Sequence, residues 1–173
     1  CAHALILQSR RVYEIGPCED KRTSEWKGWA KGKEGILMKP SEAAMVEAMA
    51  ESVMEHPAAS EILAIMADSE VGLFAGGLKG KIDGLIPFGA FDLKTSNDAS
   101  PDGWARSVVD YGYHIQEAHY RHLLRACGLS ADEFFFIVVE SAPPFCAAGY
   151  RLDRAFREAG FSERERLLSG RRS

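Results

Sequence analysis

The 173-residue sequence predicts an α/β fold in which a mixed sheet of about five strands is flanked by helices. Three strand candidates follow one another at 69–75, 79–86 and 90–95, between segments with helical periodicity. Further along the chain, the run EFFFIVVES is so uniformly apolar that it predicts a strand covered on both faces. Consecutive strands enclosed by helical segments are typical of a mixed sheet with helices packed against it.

The part of the chain before these strands is predicted to be mainly helical. A first helix over 2–9 leads into a short extended piece at RVYEIGP, and the polar, Lys- and Gly-rich stretch CEDKRTSEWKGWAKGKEG predicts a surface excursion. Apolar residues then recur at helical spacing in KPSEAAMVEAMAESVMEHP, with Ser41 as the expected N-cap and Pro57 as the interruption. The segment AASEILAIM predicts a second, short helix that ends near Ala67.

The part after the three strands predicts two helices, a strand pair and a closing helix. One helix starts at Pro101 and runs to about Tyr111, and the next ends at Gly128, a residue type favoured just beyond a helix C-terminus. AAGYRLD predicts an edge partner for EFFFIVVES. We expect residues 1–173 to form a single domain, with 154–173 as a C-terminal helix and basic tail.

The first residue is Cys1 rather than methionine, and the helical pattern has already begun there, so we expect preceding sequence to be missing. The four cysteines, Cys1, Cys18, Cys127 and Cys146, lack metal-type spacing and are predicted to be reduced thiols. No apolar run is long enough to span a membrane and no signal-peptide layout is present, which predicts a cytoplasmic protein.

The net charge of −4 disfavours a protein that coats nucleic acid over its whole surface, but it leaves room for a local basic groove. Seven arginines and four acids fall within the last 23 residues. This end of the chain is predicted to be either a solvated amphipathic helix with a basic tail or a phosphate-binding arm.

The stretch KIDGLIPFGAFDLKTS predicts a hairpin with charges where buried strands should have none. If its turn contains two or four residues, Asp83 lies opposite Asp92 or Lys94, and all three share a face with Lys81. The opposite face is predicted to hold the hairpin on the core through Ile82, Ile86, Phe91 and Leu93. A three-residue turn with a bulge would break this parity.

Two carboxylates placed so close together repel each other unless a cation lies between them. Hard oxygen ligands with open positions favour Mg²⁺ or Mn²⁺ over zinc. Lys94, two residues beyond Asp92, would then be placed to hold or deprotonate a water and to offset charge that builds up on a phosphate. From the hairpin alone, a solvated salt-bridged ribbon is an equal interpretation.

The stretch IDGLIPFGAFDLKT resembles the signature of the PD-(D/E)XK nucleases, with Asp83 as the first acid and Asp92 to Lys94 as the (D/E)XK element. Gln116 and Tyr120 in YGYHIQEAHY resemble the QxxxY element of the RecB-like branch. Upstream, Glu70 in SEVGLF and His3 in AHALIL match the further acid and the helix histidine of that branch. The order of these elements looks most similar to the phage-type exodeoxyribonuclease VIII, or RecE-like, group.

This resemblance implies a restriction-endonuclease-like fold and a metal, Mg²⁺ with Mn²⁺ as a substitute. The metal ligands it implies are His3, Asp83, Asp92 and the Leu93 carbonyl. It further implies that Lys94 is catalytic, that Glu70 assists, and that Gln116 and Tyr120 orient Lys94 or the scissile phosphate. Thr95 and Arg106 are candidate DNA contacts because they lie near the motif, and Tyr120 is a third.

The partners implied by the resemblance are double-stranded DNA ends, a single-strand annealing protein and further copies of the chain in a ring-shaped oligomer. The leading hypothesis is a Mg²⁺-dependent exonuclease that acts on linear double-stranded DNA in phage or prophage recombination. A first alternative keeps the metal-dependent hydrolysis of DNA but makes the protein a structure- or sequence-specific endonuclease. A second is a non-catalytic DNA-binding subunit, and a third is an α/β domain whose hairpin charges are incidental.

The individual residues also have structural interpretations, such as a core-bonded helix histidine for His3 and an edge-strand acid for Glu70. A zinc site at His114, His119 and His122 is disfavoured because no further soft ligands lie nearby. An iron–sulfur cluster is disfavoured by the cysteine spacing.

Overall fold

The computed structural model describes residues 2–170 and confirms a mixed α/β architecture with a five-stranded sheet flanked by helices. In chain order, the elements are α1 (Ala2–Gln8), β1 (Tyr13–Ile15), α2 (Ser24–Ala30), β2 (Ile36–Met38), α3 (Pro40–Glu55), α4 (Pro57–Ala64), β3 (Asp68–Ala75), β4 (Leu78–Ile86), β5 (Gly89–Ser96), α5 (Pro101–Asp110), α6 (Tyr113–Ala126), β6 (Glu133–Glu140), β7 (Ala147–Tyr150) and α7 (Arg154–Ser169).

The main sheet has the order β3-β4-β5-β6-β7, with β5 and β6 parallel and the other neighbours antiparallel. β6 contains the apolar run, and its residues 136–139 are fully buried, as expected for a strand covered on both faces. β7 lies at the edge, as the sequence predicts. The parallel β5–β6 pair is connected through α5 and α6, which are the helices that cover one face of the sheet.

Two hydrophobic clusters hold the helices on opposite faces of the sheet. Alternate residues of β6 divide between them, since Ile137 belongs to the cluster with α1, α3 and α4, whereas Phe136 belongs to the cluster with α5 and α6. On β5, Phe91 and Leu93 pack in the first cluster and Ala90 in the second. The alternation on β5 therefore directs Asp92 and Lys94 toward the α5–α6 side.

The prediction that Ile82 shares a face with Ile86 is wrong. Ile86 packs with α1, α3 and α4, but Ile82 packs with α5 and α6. The alternation of the β4 side chains between the two faces of the sheet is therefore interrupted between Ile82 and Ile86. On the neighbouring strand β3, Glu70 has a φ of +59°, which L-residues rarely adopt. The register of β3 with β4 places this residue opposite Asp83, so both strands change face at the same level of the sheet.

Two features of the N-terminal part differ from the sequence-based expectation. The polar excursion contains α2 and β2, and β2 pairs in parallel with β1 to form a separate two-stranded sheet. The helix α3 begins at Pro40 rather than after Ser41, because Pro is favoured at the first helical position. The Ser41 hydroxyl instead donates a 2.5 Å hydrogen bond to Glu19, which ties the helix to the excursion.

The junction between α5 and α6 fixes the orientation of α6. Ser100 caps α5 by accepting a hydrogen bond from the Gly103 N–H, and the chain reverses at Gly112, whose φ of +68° suits glycine. α6 then crosses β3 and β4. Gly80 on β4 leaves room for it, because a Cβ there would lie 2.8 Å from the Tyr120 ring.

Cys18, Cys127 and Cys146 are free, whereas Cys1 and the end of the basic tail, 171–173, lie outside the described residues. Within 2–170, no helix combines the length and the hydropathy that crossing a membrane would need.

Replacing Gly89 by Ala is expected to destabilise the sheet. A Cβ on this residue would lie 1.8 Å from the carbonyl oxygen of Glu133, a backbone atom of β6 that cannot move aside. We expect a loss of about 3 kcal/mol in the free energy of unfolding, measured by urea denaturation followed by circular dichroism. Gly28→Ala is the matched control, because its Cβ meets nothing within 4 Å in α2 and should be neutral or slightly stabilising. Equal stability of the two variants would contradict the close β5–β6 approach.

Candidate active site

The candidate site lies where β4 and β5 separate. The two strands pair only from Gly84 and Phe91 to the turn formed by residues 87 and 88. This two-residue turn has the predicted parity, and continuing its register would place Asp83 opposite Asp92. Beyond that point β4 keeps only its pairing with β3, and β5 keeps only its pairing with β6. A gap therefore opens between β4 and β5. We call this gap the strand fork.

The main-chain groups of Leu93 face the strand fork and are bonded by two side chains instead of by a strand. Its N–H donates a 2.7 Å hydrogen bond to Oδ2 of Asp83, and its carbonyl accepts a 2.7 Å hydrogen bond from Nε2 of His3. His3 Nε2 also lies 3.4 Å from Oδ2 of Asp83. α1 therefore brings His3 to the hairpin. The hydrogen bond to Asp83 raises the pKa of His3, against the opposing effect of burial.

Asp92 is 2% exposed, and burial, followed by the charge of Asp83, raises its pKa to about 6. The charge of Lys94 opposes this shift, and its ammonium group forms an ion pair with Oδ2 of Asp92. That oxygen nevertheless has no aligned hydrogen-bond donor among residues 2–170. The Lys94 Nζ also lies 4.7 Å from the centroid of the Tyr113 ring. The ammonium group is therefore held by both the Asp92 carboxylate and the face of the Tyr113 ring.

Gln116 and Tyr120 lie on one face of α6 and are bonded to each other. Nε2 of Gln116 donates a 3.1 Å hydrogen bond to the Tyr120 hydroxyl, while Oε1 of Gln116 is buried without a partner in the described chain. Burial raises the pKa of Tyr120, and the charges of Asp92 and Asp83 raise it further. The electrostatic influence of both aspartates shows that this pair of side chains borders the strand fork.

Glu70 lies opposite Asp83 in the register of β3 and β4, but its carboxylate forms an ion pair with Lys81. The structure thus brings Glu70 to the same level of the sheet as the hairpin acids without directing it to Asp92 or Lys94. The positive φ of Glu70 stores backbone strain of the kind that persists where the surrounding structure enforces it.

Thr95 and Arg106 line one cleft of about 320 Å³, together with Tyr113, whose ring lies beside Lys94. Nη2 of Arg106 lies 3.6 Å from Oδ2 of Asp98, and most of the arginine side chain is exposed. The two candidate DNA contacts therefore share one cleft, and Tyr113 both lines this cleft and contacts Lys94.

Tyr113 is the site residue that sequence reasoning missed. It is the first residue of α6 and lies three positions before Gln116, so it falls on the same side of the helix. That spacing was the available signal. Its stacking on Trp104, with ring centroids 5.3 Å apart, fixes the ring under the Lys94 ammonium group.

Two of the three histidines considered for zinc are hydrogen-bonded to main-chain carbonyls. Nδ1 of His114 bonds the Val108 carbonyl at 3.1 Å, and Nε2 of His119 bonds the Lys79 carbonyl at 3.0 Å. Over residues 2–170, no three His, Cys, Asp or Glu side chains are gathered as a ready-made metal-binding cluster. In the strand fork, the Asp92 carboxylate is paired with Lys94, and Nε2 of His3 donates a hydrogen bond to the Leu93 carbonyl.

The donor set of the strand fork fits Mg²⁺ or Mn²⁺. It combines two carboxylates and one main-chain carbonyl, which are the hard oxygen ligands these ions prefer, with one imidazole nitrogen. The distances of 2.7 and 3.4 Å from His3 Nε2 to its two oxygen neighbours bracket the separation of about 3 Å between adjacent ligands of an octahedral ion. Oδ2 of Asp92, which is paired with the Lys94 ammonium group but without an aligned hydrogen bond, is a further oxygen acceptor.

A family model described as a PDDEXK-like domain of unknown function (DUF3799) matches residues 19–170. The fold is similar to the crystal structure of a proposed exonuclease from Eubacterium rectale, with a TM-score of 0.61 and 17% sequence identity. The similarity covers 84% of this chain and 59% of that one, so this chain spans less than two thirds of the length of that protein. At this identity, the likeness shows the fold. No curated protein matches the chain.

The variant Asp92→Asn is expected to be more stable than the parent protein at pH 8 without metal. Because the folded-state pKa of Asp92 is raised from 3.8 to about 6, its stabilising contribution is present below pH 3.8 and is lost as the pH rises through 6. The ionised carboxylate therefore costs stability at pH 8, and its removal should add about 1–2 kcal/mol after allowing for the loss of the Lys94 pair. The gain should shrink toward pH 5 in thermal unfolding.

The same scans with Mn²⁺ test the metal site. Mn²⁺ should raise the melting temperature of the parent protein, because a ligand that binds only the folded state stabilises it by mass action. It should not raise that of Asp92→Asn. An equal Mn²⁺ response of both proteins would rule out Asp92 as a ligand.

Substitutions of Glu70 test the strained backbone. Asn and Gly adopt a φ near +59° more readily than Ala, by about 1 kcal/mol or more. The exposed ion pair with Lys81 is lost in all three variants and contributes little. We therefore expect Glu70→Asn and Glu70→Gly to unfold at higher urea concentration than Glu70→Ala. The reverse order would show that residue 70 relaxes to an ordinary strand conformation.

Proposed function

The chain belongs to the family of PDDEXK-like domains named DUF3799, within the PD-(D/E)XK superfamily, and on this premise we propose that it is a metal-dependent deoxyribonuclease. The observation that carries the proposal is the convergence of Asp83, Asp92 and Lys94 in the strand fork, with His3 and the Leu93 carbonyl beside them. Paired acids with an adjacent ammonium group match what hydrolysis of a phosphodiester needs.

The proposed metal ligands are His3, Asp83, Asp92 and the Leu93 carbonyl. When bound, Mg²⁺ or Mn²⁺ would polarise the phosphate and lower the pKa of a bound water. The protein's own contribution begins with His3, whose Nε2 would give up the proton it shares with Leu93. Because the family match begins at residue 19, it does not include His3, whose proposed role rests on the geometry and on the resemblance to the RecB-like helix histidine.

Lys94 is the proposed catalytic residue. Asp92 and the Tyr113 ring hold its ammonium group in place, so its charge would face the phosphate oxygens as the water oxygen bonds to phosphorus. The bond from phosphorus to the leaving oxygen then breaks. In this proposal, the hydrogen-bonded Gln116 and Tyr120 orient the scissile phosphate, and Glu70 assists through water or a second metal.

We further propose that the protein is an exonuclease on the ends of linear double-stranded DNA in phage or prophage recombination. Support comes from the order of His3, Glu70, Asp83, the DLK element and the Gln116–Tyr120 pair, which resembles the RecE-like group. It also comes from the fold likeness to a proposed exonuclease. A single-strand annealing protein and further copies of the chain are the partners this role implies.

The nearest competing function is an endonuclease on the same fold. Covalently closed circular DNA separates the two, because an exonuclease spares it and an endonuclease cuts it. A non-catalytic DNA-binding subunit is disfavoured, since Asp83, Asp92 and Lys94 are all present and lie together.

Digestion of a 5′-phosphorylated linear duplex with Mg²⁺ tests the activity. We expect Asp92→Ala and Lys94→Ala each to lower the rate by at least about a hundredfold, the typical effect of removing one charge-stabilising group. Lys27→Ala, which removes an exposed lysine of α2, is the control and should keep the parental rate. Circular dichroism should show all three variants folded. Undiminished digestion by both site variants would exclude this mechanism.

A further inference from the structure

The guanidinium of Arg164 on α7 is buried, although two of its three nitrogens have no hydrogen-bond acceptor among residues 2–170. Its residue exposure is 4%, and only Nη1 has a partner, Oε1 of Glu165 at 2.5 Å. Among residues 2–170, Nε and Nη2 have no hydrogen-bond acceptor. A buried guanidinium with unsatisfied donors is costly, so a bound oxyanion is expected to complete it.

The two unsatisfied nitrogens lie on one edge of the guanidinium, where their N–H bonds are parallel. This edge binds two oxygens of a carboxylate or phosphate at once. Arg22 uses the same edge to bond both oxygens of Asp20, at 3.0 and 3.1 Å, and Arg166 bonds Glu163 in the same way. In Arg164 the same two nitrogens are buried and have no oxyanion partner from the described chain.

A cavity of about 400 Å³ lies against Arg164, between α6, α7 and the turn of the β3–β4 hairpin. Three of its lining residues are basic, Lys79, His119 and Arg164, and none is acidic. The remaining walls are largely aliphatic, as at Leu78 and Ile115.

The cavity adjoins the candidate active site on both elements that form it. On α6, Ile115 and His119 directly precede Gln116 and Tyr120. On β4, Lys79 lies four residues before Asp83, a distance of about 13 Å along the strand. The rise of about 3.4 Å per nucleotide is measured along the helix axis, and neighbouring phosphates of one strand lie about twice as far apart, so this separation corresponds to roughly two nucleotides.

We propose that the Arg164 cavity binds a phosphate group of the DNA strand a few nucleotides from the one held in the strand fork; this inference rests on the proposed function. The parallel N–H groups of Arg164 would donate hydrogen bonds to two phosphate oxygens, and the C–H face of a deoxyribose would pack on Leu78 and Ile115. Arg164 acts here in binding and takes no part in hydrolysis.

Arg164→Met is the principal test, with Arg154→Met as the matched control on the same helix. Arg154 is 85% exposed in its side chain, so its loss removes the same charge without touching the cavity. Anisotropy of a fluorescein-labelled 20-base-pair duplex in EDTA measures binding without cleavage. We expect Arg164→Met to weaken binding about tenfold or more and Arg154→Met less than about twofold. Equal losses in the two variants would overturn the proposal.

The stability of the variants separates a binding role from a structural one. Because the donors of Arg164 are unsatisfied in the free protein, Arg164→Met should unfold at the parental temperature or above it. Should that variant fail to fold, Arg164→Lys keeps the charge and removes the parallel edge, and it should still bind the duplex more weakly than the parent. A folded Arg164→Lys with parental affinity would contradict bidentate phosphate binding.

Neutral methylphosphonates locate the contacted phosphate. Placed singly at about two to five nucleotides from the strand end, one of them should weaken binding by the parent protein but not by Arg164→Met. Sensitivity of both proteins at every position would overturn the assignment. Inorganic phosphate should raise the melting temperature of the parent more than acetate does, and a preference for acetate would instead indicate a carboxylate ligand.

Two measurements keep this proposal separate from the nuclease proposal. Hydrolysis of bis(p-nitrophenyl) phosphate, which occupies only the reacting position, should be unchanged in Arg164→Met and lost in Asp92→Ala. If no hydrolysis occurs at all but duplex binding still depends on Arg164, the nuclease fails and the phosphate site stands. If hydrolysis occurs and Arg164→Met binds DNA like Arg154→Met, the nuclease stands and the phosphate site fails.

Discussion

The architecture of the site depends on how the main chain of Leu93 is satisfied where β5 leaves β4. A central strand normally has its N–H and carbonyl groups bonded by a neighbouring strand, and a buried group left unpaired is costly. Here the carboxylate of Asp83 and the imidazole of His3 take the place of the missing strand. The strands can therefore separate inside the protein, and the gap between them collects side chains that no regular sheet would hold.

The charged side chains of the hairpin are compensated by one another and by the Tyr113 ring of α6. Asp92 is buried beside Asp83, and this raises its pKa, but Lys94 and His3 partly neutralise the two acids. The Tyr113 ring in turn supports the lysine. A divalent ion would relieve the remaining repulsion between the two carboxylates. Arg164 is the case of opposite charge, since its buried Nε and Nη2 have no acceptor among residues 2–170 and are suited to an anion.

Much of the fold could be predicted, because the apolar pattern of β6 and the chain order of strands and helices follow from local periodicity. The hairpin parity was also predictable once a two-residue turn was assumed, since opposite residues of a ribbon share a face. The change of face between Ile82 and Ile86 was not, because it depends on the unusual backbone of Glu70 in a neighbouring strand. Similarly, β2 is too short to be recognised without its partner β1.

The sequence alone determined which chemical groups this protein offers, namely two acids and a lysine at hairpin spacing, with a histidine, a further acid and a glutamine–tyrosine pair elsewhere. Their order along the chain was enough to indicate the superfamily. Only the tertiary structure decided how they meet: His3 on Leu93, Glu70 on Lys81, and Lys94 on Tyr113. The physical reason is that these contacts join separate elements, and the packing of α1 and α6 on the two faces of the sheet sets their distances.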